Sequence, residues 1–254
     1  MKIGIFCTTS SNFISKELFE ILKKNKKFDI CFSIFSKKSV KKKIKNFHFS
    51  RNTKIFFENR PDKNQRIINL CIKENIDLMI CIGFEYIIRK KFIKIFKKGI
   101  INIHPSYLPF NKGCHHSFWS IIKNKPFGCT LHYMDEGIDT GKIISRLKFD
   151  GHPNILAKEA IDLNFKYIKK LFKKNLDKIY SGKIKAMEQQ KGTYHSNTDI
   201  LKKTVFNINS KKKININYLW RLIRATNFKN NGLFFNDIKN KTKYKVVFNI
   251  SKKK

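Results

Sequence analysis

The sequence predicts an α/β protein: a Rossmann-like, mostly parallel sheet with helices on both faces, plus a small C-terminal helix and β-hairpin region. Three observations predict it. Short apolar runs alternate with segments of helical period through the first half of the chain. Hydrophobic residues make up 41% of the 254 positions, with 24 Phe, enough for a sizeable core. No internal repeat suggests a solenoid or propeller.

The elements follow in order. Lys2–Cys7 reads as a strand, and 12–24 carries Phe13, Ile14, Leu18, Phe19, Ile21 and Leu22 at helical spacing. Strands are expected at 28–35 and 54–57, a helix at 63–75, and a buried strand at 77–82. A helix over 89–98 should end at Gly99, before a strand over 100–103 that runs into His104. This rhythm argues for a parallel sheet covered on both sides. The pattern then shifts to a helix at 114–123, strands at 128–133 and 142–149 joined by MDEGIDTG, and a long helix at 154–179. A boundary is placed at 185/186, giving a catalytic domain over 1–185 and a small region over 186–254 with a helix at 218–226 and strands at 233–235 and 244–250.

The formal net charge is +37, from 55 Lys and Arg against 18 Asp and Glu. Such a charge suits a nucleic-acid partner, because cationic faces release counterions from phosphate. Here the excess is mostly Lys, accompanied by Ile, Asn and Phe, and spread from Lys2 to Lys254. That spread points to composition rather than to a nucleic-acid footprint, although any anionic substrate is still drawn in. The six cysteines have no CxxC spacing and read as core thiols in a reducing cytosol. KIGIFC opens the chain with no leader-like apolar region, and no apolar run approaches the roughly 20 residues of a membrane span. A cytoplasmic protein without membrane contact is expected.

The turn after Cys7 is Thr8-Thr9-Ser10-Ser11, without the GxGxxG of a dinucleotide site. Its hydroxyls, Ser10 among them, could face a phosphate, or simply cap a helix. The chemistry gathers elsewhere. Asn102 and His104 end a strand, where residues two apart share a face, and Pro105 stiffens the turn that follows. Asp139 lies between Gly137 and Gly141, in a loop free to fold inward. An Asp brought to the Asn–His pair orients the imidazole and stabilises its protonated form. Spacing alone gives an acid–base triad with no nucleophile. A metal site is the rival reading, from Cys114, His115 and His116 with His104 and His132, but adjacent helix positions diverge. Trp119 reads as core or as a pocket wall.

NIHPSYLP, FNKG and GCTLHYMDEGIDTGKII together resemble the 10-formyltetrahydrofolate-dependent formyltransferase family over 2–149, most strongly over 78–146. The resemblance implies the formyltransferase fold, with Asn102, His104 and Asp139 as catalytic residues. It implies 10-formyltetrahydrofolate as co-substrate, held along Gly83, Phe84, Glu85, Tyr86 and Ile87 and closed over by Met134, Asp135, Glu136 and Gly137. A substrate amine would attack the formyl carbon directly, which explains the missing nucleophile. HPSYLPFNKGCHHSFWSI, NYLWRLIRATNFKNNGLFF and KGTYHS are most similar to the nucleotide-sugar N-formyltransferases. By that likeness the acceptor is dTDP-4-amino-4,6-dideoxyglucose or a 3-amino isomer, for surface polysaccharide such as lipopolysaccharide. Ser10, Asn111, Lys112, His115, Trp119 and Tyr194 would bind it, and the C-terminal hairpin would build a homodimer. His116 and Ser117 depart from the Pro and Asn expected there. The other implied readings are a methionyl-tRNA formyltransferase, a folate hydrolase, or a non-enzymatic basic RNA-binding protein on the same scaffold.

Overall fold

The computed structural model describes residues 1–8, 14–39, 44, 47–50, 52–208, 213–228 and 232–250. Its centre is a seven-stranded sheet in the order β3-β2-β1-β4-β5-β7-β8. The strands are β1 (Lys2–Cys7), β2 (Asp29–Phe35), β3 (Lys54–Phe57), β4 (Leu78–Ile82), β5 (Ile100–His104), β7 (Phe127–Tyr133) and β8 (Ile143–Phe149). β1 pairs in parallel with both β2 and β4, and β5 continues in parallel beside β4. The chain therefore reverses its direction of travel between β1 and β4. A crevice opens there, beyond the carboxyl ends of the strands. β7 and β8 close that side antiparallel, so the parallel expectation holds for five strands and not for the last two.

Alternation along β1 explains the two cores. Ile3, Ile5 and Cys7 face one side, with α1 (Ser15–Lys24) and the long helix that follows β8. Phe6 faces the other, with Phe32, Ile67, Phe92 and Phe96. The expected helix at 63–75 is a 3-10 turn, Pro61–Lys63, followed by α2 (Gln65–Lys73). Asn64 separates the two, and its side chain caps α2 by accepting from the Ile67 N–H. The helix expected at 89–98 shrinks to α3 (Lys90–Ile93); beyond it, bonds from Ile95 to Phe92 and from Phe96 to Ile93 tighten the chain into turns that seat Phe96 in the core.

α4 (His116–Lys123) starts two residues later than expected, because His115 adopts a left-handed conformation, φ 58°. The long helix is α5 (Ala157–Ser181), ended by left-handed Gly182. After it come β9 (Tyr194–His195), α6 (Leu201–Thr204), β10 (Val205–Asn207), α7 (Ile216–Thr226), β11 (Leu233–Asp237) and β12 (Thr242–Val246). β11 and β12 form the expected hairpin, and β10, which has no sequence signal, pairs in parallel with β11. A third core joins this region to α4 and α5 through Phe118, Trp119, Ala160, Leu222, Ala225 and Leu233. Among the described residues no helix is long and apolar enough to cross a membrane.

Candidate active site

β5 delivers the first two side chains. Its antiparallel register with β7 sets Asn102 opposite His132 and His104 opposite Thr130. Alternation sends Ile101 and Ile103 into one core, leaving Asn102 and His104 on the other face. The loop after His104 is then tied down. Thr130 donates its hydroxyl to the Ser106 carbonyl at 2.7 Å and accepts from the Leu108 N–H at 3.1 Å. Asn111, left-handed at φ 56°, donates Nδ2 to Ser120 Oγ at 2.9 Å.

Asp139 closes the constellation from the β7–β8 loop, itself left-handed at φ 55°. Its Oδ2 accepts the Gly113 N–H at 2.9 Å and lies 3.3 Å from His104 Nδ1. Its Oδ1 accepts from Asn102 Nδ2 at 3.3 Å and lies 3.5 Å from His132 Nε2. Gln189 holds the loop from behind, donating Nε2 to the carbonyls of Asp139 at 2.9 Å and Gly141 at 2.7 Å. Gly113 belongs to a two-residue strand, β6 (Lys112–Gly113), paired with β9. At its φ of 87° a Cβ would collide with the His195 carbonyl, so only glycine allows the bond to Asp139. The structure thus brings Asn102 and His104 both against Asp139, with His132 as a fourth member.

Burial pushes the His104 imidazole below its ordinary range, while the Asp139 carboxylate pulls the other way. Burial alone would raise the Asp139 carboxyl; His104, His132 and the Gly113 N–H instead hold it well below the usual carboxylate range. His104 Nε2 lies 3.2 Å from the Asn111 carbonyl, so both ring nitrogens face acceptors. A neutral ring satisfies one of them and an imidazolium satisfies both. The neighbouring thiols are no nucleophiles: burial raises Cys114 and pushes Cys81 up to about 12.

A cavity of about 360 Å³ opens beside this cluster, lined by Pro105, Gly113, His115, His116, Ser117 and Asn164 among others. It reaches the trio through its neighbours: Pro105 follows His104, Gly113 bonds Asp139, and the His116 ring stands edge-on to His104 with centroids 4.5 Å apart. Gly83 and Glu85, expected on the folate side, also line it.

The other expected contacts divide. Ile87 is exposed and available, whereas Phe84 stacks on Phe6 at 4.9 Å and Tyr86 lies against Phe84. Met134 packs on the core, Asp135 accepts from the Gly137 N–H and the Thr140 hydroxyl inside its own loop, and Glu136 pairs with Lys90 at 3.1 Å. His115 lines the cavity with Nε2 on Asn197 Oδ1 at 2.9 Å, and Lys112 and Tyr194 pair across β6 and β9. Ser10 lies outside the described residues. Two expectations are corrected. Asn111 is fully buried and engaged with Ser120, and Trp119 is buried and stacked on His195 at 3.9 Å. Both support the loop rather than face the cavity. Gln189 is not among the sequence candidates, and His132 and His116 enter the sequence reading only through the rival metal site and, for His116, the departure beside the acceptor. Gln189 carries no signal in the sequence that would mark it. His115 and His116 turn to different partners, and among the described residues no group of three or more His, Cys, Asp or Glu could hold a metal ion.

The family model described as Formyl transferase matches residues 1–162. The chain belongs to the formyl transferase family. A 4-N formyltransferase from Francisella tularensis superposes with a TM-score of 0.80 at 24% identity, covering 99% of this chain and 98% of that one. An N-formyltransferase from Helicobacter canadensis, solved with folinic acid and dTDP-3-aminofucose, gives 0.66 at 26% identity, covering 94% and 85%. The curated methionyl-tRNA formyltransferase of Clostridioides difficile (strain 630) is 32% identical over 154 residues, 60% of this chain and 49% of that protein. The chain spans about half the length of the curated relatives it matches. The family match covers β1 to β8 and the start of α5, and so includes the trio and His132 but not Asn164, Gln189, Tyr194, His195 or Asn197.

Proposed function

We propose that the protein is a 10-formyltetrahydrofolate-dependent N-formyltransferase acting on the amine of a nucleotide-linked aminodeoxyhexose, dTDP-4-amino-4,6-dideoxyglucose or a 3-amino isomer. The observation that carries this is the contact of Asp139 with both Asn102 and His104, beside a cavity that shows no activated nucleophile among the described residues. Such a site suits a substrate that brings its own nucleophile. The Helicobacter canadensis likeness, by its bound folinic acid and dTDP-3-aminofucose, supports the choice of donor and acceptor.

His104 with its proton on Nδ1, towards Asp139, carries a lone pair on Nε2 and takes the proton that the amine loses. The imidazolium so formed faces Asp139 at 3.3 Å, which stabilises it. The amine nitrogen then holds the formyl carbon, the bond to the folate nitrogen breaks, and His104 returns a proton to that nitrogen. Asn102 steadies charge on the formyl oxygen. Both its amide hydrogens are engaged in the structure, on His132 at 3.1 Å and Asp139 at 3.3 Å. Engaging the substrate exchanges the longer bond for one to the formyl oxygen. The net charge of +37 draws the pyrophosphate-linked acceptor in.

The same reading makes 1–185 the catalytic unit and 186–254 a helix–hairpin region that forms a homodimer, in a cytoplasmic enzyme supplying surface polysaccharide. The test is incubation with 10-formyltetrahydrofolate and a panel of nucleotide amino sugars, with charged initiator tRNA alongside. Mass spectrometry should show a gain of about 28 daltons, because a formyl group replaces one amine hydrogen, and that hydrogen leaves as the proton delivered to the folate nitrogen. Formylation of the tRNA alone would transfer the reading to a methionyl-tRNA formyltransferase. Formate release without any amine would make the protein a folate hydrolase.

A further inference from the structure

Two residues that line the cavity beside His104 carry acceptor atoms that no described residue satisfies. The first is on His116, the opening residue of α4. Its Nε2 lies 2.8 Å from the Gly113 carbonyl, which can only accept, so Nε2 carries the hydrogen. In a neutral ring Nδ1 is then a bare lone pair, and among the described residues nothing bonds to it. Burial pushes His116 down to about 3, and the charge of His104 acts in the same direction. Asp139, the Gly113 carbonyl and His115 also face it, the first two raising it and the last lowering it. Burial thus favours the neutral ring.

The second acceptor is Asn164 Oδ1. The residue is 4% exposed, lines the same cavity, and donates Nδ2 to the carbonyls of Pro105 at 2.8 Å and Gly128 at 3.0 Å. Those two bonds fix which end of the amide is oxygen, and Oδ1 is buried without a donor. Both atoms are left without a donor, and a ligand that brings N–H groups can supply one to His116 Nδ1.

An attacking amine has the same requirement. Its lone pair must point at the acyl carbon, so its N–H bonds point elsewhere and each needs an acceptor. His104 offers one at most, the Nε2 lone pair that takes the transferred proton. His116, with its ring 4.5 Å from that of His104, stands where a second acceptor can serve. Resting on the function proposed above, we propose that His116 is a substrate-orienting residue. Its Nδ1 accepts an N–H of the incoming amine and aligns the nitrogen on the formyl carbon.

The experiment compares steady-state kinetics of the wild type with H116F, H116A and H116N, using the panel member that the wild type formylates. Phe keeps a ring over His104 without a nitrogen; Asn keeps an acceptor and a donor. H116F and H116A should lose about 10- to 100-fold in kcat/KM for the amine, the loss expected when one hydrogen bond to a reacting group disappears, with the KM for 10-formyltetrahydrofolate unchanged. H116N should recover at least part of that loss. Thermal melts identify any variant that fails to fold, and the H116A–H116N comparison decides if H116F does. Wild-type activity in H116F, or H116N no better than H116A, overturns the inference. A wild type that formylates no panel member overturns the underlying function, and the inference with it.

Discussion

Replacing Asp139 by Asn keeps its shape and removes its charge. The carboxylate stands 3.3 Å from His104 Nδ1, with the His104 side chain 5% and the Asp139 side chain 13% exposed. At an effective dielectric near 20, opposite unit charges at that separation attract by about 5 kcal/mol. Part of that is offset, because the dipoles of Gly113 and Asn102 remain and the site relaxes; about 3 kcal/mol lost from the imidazolium-bearing transition state is a fair expectation, or about 100-fold in kcat. The variant also shifts the pH profile. Burial lowers His104 and Asp139 raises it. Without the carboxylate His104 falls further, so the acid limb of kcat/KM moves to lower pH. Single-turnover mass spectrometry across pH 5–9, with circular dichroism to confirm the fold, reads both effects. Activity within about fivefold of wild type, or an acid limb displaced upward, would refute the coupling of Asp139 to His104.

Three further outcomes follow from the same geometry. His104→Ala should abolish measurable formyl transfer while leaving the calorimetric affinity for tetrahydrofolate near that of wild type, since no proton acceptor replaces the ring. Gly113→Ala should lower both kcat and the melting temperature, by a destabilisation of about 1–3 kcal/mol, because a side chain there meets the His195 carbonyl and breaks the N–H bond to Asp139. His116 has a folded pKa depressed to about 3, so its contribution to stability is present above its unfolded value near 6.5 and is lost as pH falls through that window. Urea midpoints should fall between pH 7 and pH 4, and H116F should flatten the slope by an amount of order 1–3 kcal/mol.

Much of the sheet was legible because its strands are bounded runs whose alternation matches two buried faces. β1 and β3 fall at the predicted residues, and the N-x-H spacing is enough to place Asn102 and His104 on one face. What could not be read depends on pairing rather than period. His132 enters the site only through the antiparallel register of β5 with β7, a long-range fact with no local signature. β6 and β9 are two residues each, too short for any pattern. Asn111 misled for a related reason. The likeness puts it among the acceptor contacts, but here its backbone is left-handed and its amide bonds the buried Ser120. The helix at 89–98 carried apolar residues at helical spacing, yet the demand to seat Phe92 and Phe96 under β4 wound its second half into turns.

The pairing of Gly113 with His195, and the grip of Gln189 on the Asp139 carbonyl, reach back across the chain from beyond position 185. The last quarter of the polypeptide is thus no detachable appendage. Trimming it away would free the very loop that presents the carboxylate, and chemistry would fade even with every atom of the trio still in the chain.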